Sequence, residues 1–131
     1  MLKIAFNQNY IHPLEENHRF PMIKYELIPE QLIRENTCSV DNFFEPGIIS
    51  DEIVLKTHEK EYFERFKNLK LSKKEIREIG FPLSKELVER EMVIAQGTIE
   101  CVHYSIKHGI SMNIAGGTHH AFYDRGEAFC M

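Results

Sequence analysis

Apolar and polar positions change period several times along this chain, and each change marks an element. Residues 2–7 form a short apolar run closed by Asn7-Gln8-Asn9, the length and flanks of a buried first strand. Residues 8–19, with Tyr10, His12, Pro13, His18 and Arg19, read as a polar surface loop. Pro21 opens a helical stretch, where its missing N–H costs nothing. Met22, Tyr25, Leu32 and neighbouring Ile residues give that stretch an apolar face, and Pro29 predicts a kink or split near Ile28.

Phe43-Phe44-Glu45-Pro46 predicts a short strand ended by Pro46-Gly47. Ser50-Asp51-Glu52 supplies a cap and acidic first turn for a helix at Ile53. A second helical piece covers Lys60 to Leu69, with Tyr62, Phe63 and Phe66 turned inward. Ser72-Lys73-Lys74-Glu75 has capping-box spacing for a short helix ending at Gly80. The clearest element is a helix from about Lys85 to Lys107, stopped by Gly109. Its Val88, Met92, Ala95, Ile99, Val102 and Ile106 recur at spacings of four and three, predicting one continuous apolar stripe. Ile110, Met112 and Ile114 then alternate with Ser111, Asn113 and Ala115, a strand period running straight into Gly116-Gly117. Strand, helix, strand, helices, strand predicts an α/β layer with parallel strands. No repeat, low-complexity tract or linker divides it, so the chain reads as one unit.

Composition narrows the class. With 131 residues and 43% hydrophobic content, a modest core is attainable and disorder is not expected. A net charge of −4 gives no broad basic field, which argues against a nucleic-acid partner. The apolar run after Met1 is too short for a signal peptide or membrane span. Cys38, Cys101 and Cys130 are odd in number and widely spaced, which suits a reducing compartment rather than a disulfide framework or structural zinc site. A cytoplasmic protein without membrane association is the expectation.

The candidate chemistry lies at Gly116-Gly117-Thr118-His119-His120-Ala121. A helix, a strand, two glycines and two imidazoles place the histidines at the carboxyl end of a strand, the edge where open α/β sheets hold ligands. Two imidazoles there can divide proton transfer: one takes a proton from water while the other, protonated, stabilises developing negative charge. On an unactivated amide such chemistry normally needs a metal. The competing reading is an exposed loop with two incidental histidines, and spacing alone does not separate the two. Cys130 near a His pair also admits a thiol-nucleophile reading, which requires alignment and an oxyanion hole.

The segment 113–122, together with Phe129-Cys130, resembles the catalytic loop of the zinc-dependent histone deacetylase family, whose pattern is Gly-Gly-x-His-His-Ala with Gly-Phe-Cys shortly after. The resemblance covers nearly the whole chain. His12-Pro13, His18-Arg19-Phe20-Pro21-Met22, Thr57-His58 through Tyr62, Ile79-Gly80-Phe81-Pro82-Leu83-Ser84 and Asp124-Arg125-Gly126-Glu127 look like segments of its bacterial and class IV-like branch. It implies the N-terminal part of a three-layer arginase/deacetylase-type fold with a parallel sheet, incomplete in this chain. It implies that His119 and His120 are the catalytic pair, His120 the main general base and acid and His119 its electrostatic partner. Phe129 would wall the narrow tunnel for an acyl-lysine-like chain, with Ala128 and Gly117 beside the substrate. Arg19 matches an arginine near the inner end of the pocket; pairing with a nearby carboxylate is the other reading. Cys130 becomes a packing residue, and His58 is expected to serve backbone groups at a helix junction. His12 and His18 would lie in a surface loop, and His103 and His108 would be structural or solvated.

Two departures matter. Ala128 stands where the family keeps glycine. The zinc ligands, an Asp-x-His and a later Asp, and the family's transition-state tyrosine have no counterpart before Met131. The implied zinc therefore has no ligand set here: a catalytic site takes three protein ligands, and Asp124 and Glu127 are the only carboxylates near the pair. A deacetylase of an acetyl-lysine or similar acetylated amine is expected by resemblance, inactive as 131 isolated residues. The alternative is a non-catalytic oligomerising fragment. An unpaired strand edge and apolar surface on the long helix are expected, hence a homo-oligomer or a complementary C-terminal portion.

Overall fold

The first apolar run becomes the middle of the sheet. In a computed structural model, which describes residues 1–116 and 120–131, β1 (Lys3–Ala5) lies between β2 (Phe43–Phe44) and β3 (Ser111–Asn113). Both neighbours run parallel to it, with Ile4 opposite Phe43 and Met112, and Ala5 opposite Phe44 and Asn113. Parallel strands require crossovers. The first contains α1 (Lys24–Arg34); the second contains α2 (Asp51–Val54), α3 (Lys60–Lys67), α4 (Lys73–Ile79) and α5 (Lys85–His108). The α/β expectation with a parallel sheet holds.

The capping residues act as their chemistry dictates. Ser72 and Glu75 form the reciprocal box at the start of α4, and Gly80 ends that helix at φ +85°. Ser84 Oγ accepts the Leu87 N–H at 3.1 Å to start α5, and Gly109 ends it at φ +87°. Arg65 on α3 reaches Glu75 on α4 at 2.7 Å and ties the two short helices together.

Three local expectations change. Pro29 sits inside α1 without splitting it; its ring is buried on the same face as Tyr25, one turn earlier, and that burial offsets the lost hydrogen bond. The stripe on α5 divides: Val88 and Met92 are buried, whereas Val102 and Ile106 are exposed. A 24-residue helix is about 36 Å long, while a three-residue strand spans only about 10 Å, so the helix outlasts the sheet it covers. The buried face runs through Arg90, Val93, Gly97 and Cys101; Gly97 and Cys101 meet β3 at Asn113 and Met112, and Tyr104 packs on Phe44 at 4.5 Å between ring centroids.

Residues 8–19 are not a surface loop throughout. A short 3-10 turn at Gln8–Tyr10 buries Tyr10 completely, and His12 is only 6% exposed. Arg90 draws this segment in: its Nε donates to the Tyr10 carbonyl at 2.8 Å, and its guanidinium lies 5.2 Å over the Tyr25 ring. The same guanidinium pairs with Glu91. The core extends from these groups through Phe20 and Phe81 to the inward face of α3, where Tyr62, Phe63 and Phe66 are buried as expected. Among the described residues no helix is long and apolar enough to cross a membrane.

Candidate active site

The 127–130 segment is built on the end of α4. A helix leaves its last carbonyls without intrahelical partners, and here Ala128 N–H donates to Glu78 O at 2.9 Å and Phe129 N–H to Ile79 O at 2.6 Å. Glu127 and Cys130 exchange backbone hydrogen bonds of 2.9 and 3.0 Å, closing a two-residue turn. Ala128 and Phe129, its central residues, have φ of +47° and +69°, the positive pair that a type I′ turn demands. Gly126 before the turn has no room for a side chain: a Cβ would stand 2.7 Å from both the Cys130 carbonyl and Ile79 Cγ1.

This turn sends consecutive side chains to different places. Cys130 Sγ accepts the His120 backbone N–H at 3.1 Å and lies 3.6 Å from His120 Nδ1. Both residues line an apolar cavity of about 570 Å³ between α3, α5 and the terminal segment. His58 and Tyr62 also line it, and His58 Nδ1 and Tyr62 Oη are buried without a hydrogen-bond partner among the described residues. The expectation that His58 serves backbone groups therefore does not extend to its ring Nδ1. Burial pushes the Tyr62 phenol up to about 12, so it stays protonated. Burial also raises the Glu91 carboxyl, against the lowering effect of Arg90, and Glu91 lines the same wall.

Phe129 points elsewhere. Its ring packs against Phe20 at 5.0 Å, Phe81 at 4.9 Å and His18 at 5.9 Å between centroids, and Arg19 lays its guanidinium 4.9 Å above it. Arg19 makes no ion pair among the described residues; it takes the aromatic face rather than a carboxylate. Gly80 permits the approach, since a Cβ there would meet Phe129 Cε1 at 3.0 Å and Arg19 Nη2 at 3.5 Å. Phe129 and Arg19 are thus brought together, His120 is joined to Cys130, and the first pair is not among the residues lining the cavity that contains the second. Ala128 holds the turn between them. Gly117 and His119 lie outside the described residues.

Whether zinc fits is a question of donors. Among the described residues no three His, Cys, Asp or Glu side chains converge on a common point. Asp124 and Glu127 instead face Arg125 at 3.4 and 3.9 Å. These residues alone do not fit a three-ligand zinc. Cys130 is buried and bonded to the His120 backbone, as a packing residue would be. His103 is exposed and His108 stacks on Tyr104, in line with a solvated and a structural role. Sequence reasoning missed the hook on the α4 carbonyls and the placement of His18, which is half-buried with its Nε2 2.9 Å from Gly80 O. The run His18-Arg19-Phe20-Pro21 carried the only signal for it, through its apolar half.

The described architecture is a parallel α/β layer in which a tight turn carrying Phe129 packs on the end of α4 and its Cys130 meets His120. The histone deacetylase domain matches residues 12–131. The chain is 32% identical over 128 residues to an uncharacterized protein of Picosynechococcus sp., covering 98% of this chain and 43% of that one. Its fold aligns with the crystal structure of an HDAC homologue from Aquifex aeolicus at a TM-score of 0.75 and 19% identity, covering 98% of this chain and 37% of that one. The chain belongs to the histone deacetylase family. It spans less than half the length of either relative.

Proposed function

We propose that these residues form the histidine-bearing portion of an amide hydrolase that removes the acetyl group from an acetyl-lysine or similar acetylated amine. The observation that carries this reading is the anchoring of His120. Its backbone N–H bonds to Cys130 Sγ and its ring lies at the wall of an apolar cavity, so the imidazole is held against the 127–130 turn. In this reading His120 takes the proton from the attacking water and delivers one to the departing amine. His119 supports the developing charge; Phe129 and Arg19, which lie outside that cavity, are assigned to the acyl chain's path by family alone. Zinc belongs to the reading by family alone, with its ligands supplied from outside these residues.

The test uses a fluorogenic acetyl-lysine substrate and the purified 131-residue chain, with and without added zinc. No turnover is expected from the chain by itself. Zinc-dependent turnover is expected when it is co-expressed with the remaining portion of a relative's domain, and His120→Ala should abolish it. Turnover that survives His120→Ala in that pair would remove the role given to His120.

A second reading, a non-catalytic oligomerising module or a subunit awaiting a complementary chain, is favoured by one observation. β3 is an edge strand, and Val102, Ile106, Ile110 and Met112 around it are exposed. Both readings predict association through that surface; only the first predicts turnover in the completed assembly.

A further inference from the structure

We propose that His18 is a positioning residue for this site: as the Nε2–H tautomer it clamps the 18–20 segment to the end of α4 and so fixes the pose of Phe129. The inference rests on the reading that Phe129 borders the substrate path. The tautomer follows from its partners. Phe20 N–H donates to His18 Nδ1 at 3.1 Å, so Nδ1 carries no proton. The proton must then sit on Nε2, which donates to Gly80 O at 2.9 Å.

Gly80 is the residue on which the site turns. It ends α4 at φ +85°, next to the Glu78 and Ile79 carbonyls that hold Ala128 and Phe129. His18 therefore grips the same helix end, while its ring stacks on Phe81 and meets Phe129 edge-on. Together with Arg19 over the ring face, the dipeptide holds Phe129 on two sides.

Only the neutral imidazole makes both bonds, since Nδ1 must accept while Nε2 donates. Arg19 lies over Phe129, and Arg90 from α5 lies 5.9 Å over Phe81, so both rings that His18 touches already carry a cation. Glu78 on α4 directs its carboxylate toward Lys74, at 3.8 Å. An imidazolium would lose its bond from Phe20 N–H, because protonated Nδ1 cannot accept.

Long-range ¹H–¹⁵N NMR on the full chain tests the assignment without substrate, so its outcome is independent of whether the chain deacetylates anything. The Nε2–H tautomer is expected at neutral pH. On acidification the Phe20 amide and the Phe129 ring signals should shift with the same midpoint as the His18 ring. In His18→Phe, which keeps the stacking but neither hydrogen bond, those shifts should vanish. The Phe129 amide should then exchange at least about tenfold faster while α5 amides are unchanged. If His18→Phe fails to fold, His18→Asn makes the same test, since its oxygen can accept from Phe20 N–H but is too short to reach Gly80. Faster exchange at Phe129 with the Phe20 contact kept is then expected. An Nδ1–H tautomer, or Phe129 signals indifferent to both His18 titration and substitution, would overturn the proposal.

Discussion

Ala128 shows how one methyl group can work against a fold that otherwise requires its position. Its φ of +47° lies in the left-handed region, which costs a residue with a Cβ about 1 kcal/mol or more. The turn nevertheless holds because Glu78, Ile79 and the Glu127–Cys130 pair fix it through backbone hydrogen bonds. The family pattern places glycine here, and the geometry gives the reason. Ala128→Gly is expected to stabilise the chain by roughly 0.5–1 kcal/mol, after the larger unfolded-state entropy of glycine is subtracted. Thermal melts of the two proteins check this, and a lower midpoint for the glycine variant would contradict it. His12 makes a second residue-level prediction. Burial, reinforced by Arg90 and opposed by Glu86, holds its imidazole below the ordinary histidine value. Between that lowered value and about 6.5, the unfolded chain binds a proton that the fold refuses, so stability falls as pH drops through this window. Melts at neutral and mildly acidic pH should show the loss, and His12→Asn should reduce it.

At the scale of elements, α5 carries the most information and contains the sharpest conflict between propensity and packing. Gly97 lies in the middle of a 24-residue helix, where alanine would gain about 1 kcal/mol of helix propensity. A Cβ there would meet Tyr10 Oη at 2.6 Å and Asn113 Nδ2 at 2.9 Å. Asn113 cannot yield cheaply, because its Nδ2 donates to Ile94 O and Thr98 Oγ1 and holds β3 on the helix. Overpacking typically costs about 1–3 kcal/mol, so Gly97→Ala should lower the melting midpoint despite the better helix former. A higher midpoint would mean the Tyr10 ring has somewhere to move. The helix was legible in sequence because Ser84, Gly109 and a sustained 3.6 period are local signals. The face it buries was not: Gly97 and Arg90 interrupt the apolar pattern and are both buried, while Val102 and Ile106 extend it and are exposed. The same limit applies at the site. His120 and Phe129 stand out in the sequence as a motif, but their separation into two environments depends on the positive-φ turn, which an Ala-Phe pair does not announce.

At the scale of the molecule, the surface around β3 decides how the chain exists in solution. β3 pairs only with β1 among the described strands, leaving its other edge without a described strand partner. Met112 on that strand is 54% exposed, and Ile106 on the adjoining helix is 80% exposed. Ile110 and Val102 continue the patch. An open strand edge beside apolar side chains is a template for pairing with another chain, and a net charge of −4 provides little repulsion against it. We therefore expect the purified chain to elute above its monomer mass of 15.4 kDa in size exclusion with light scattering. Replacing Val102 and Met112 with Lys should shift it toward monomer with unchanged helical content, since both side chains already face solvent and lysine discourages edge pairing. If a second copy occupies the surface, the shift will depend on concentration. If only the remaining portion of a deacetylase domain fits, the chain will stay monomeric alone and be captured by that portion, and the lysine pair will block the capture. A compact monomer that ignores both would separate this surface from any role in assembly.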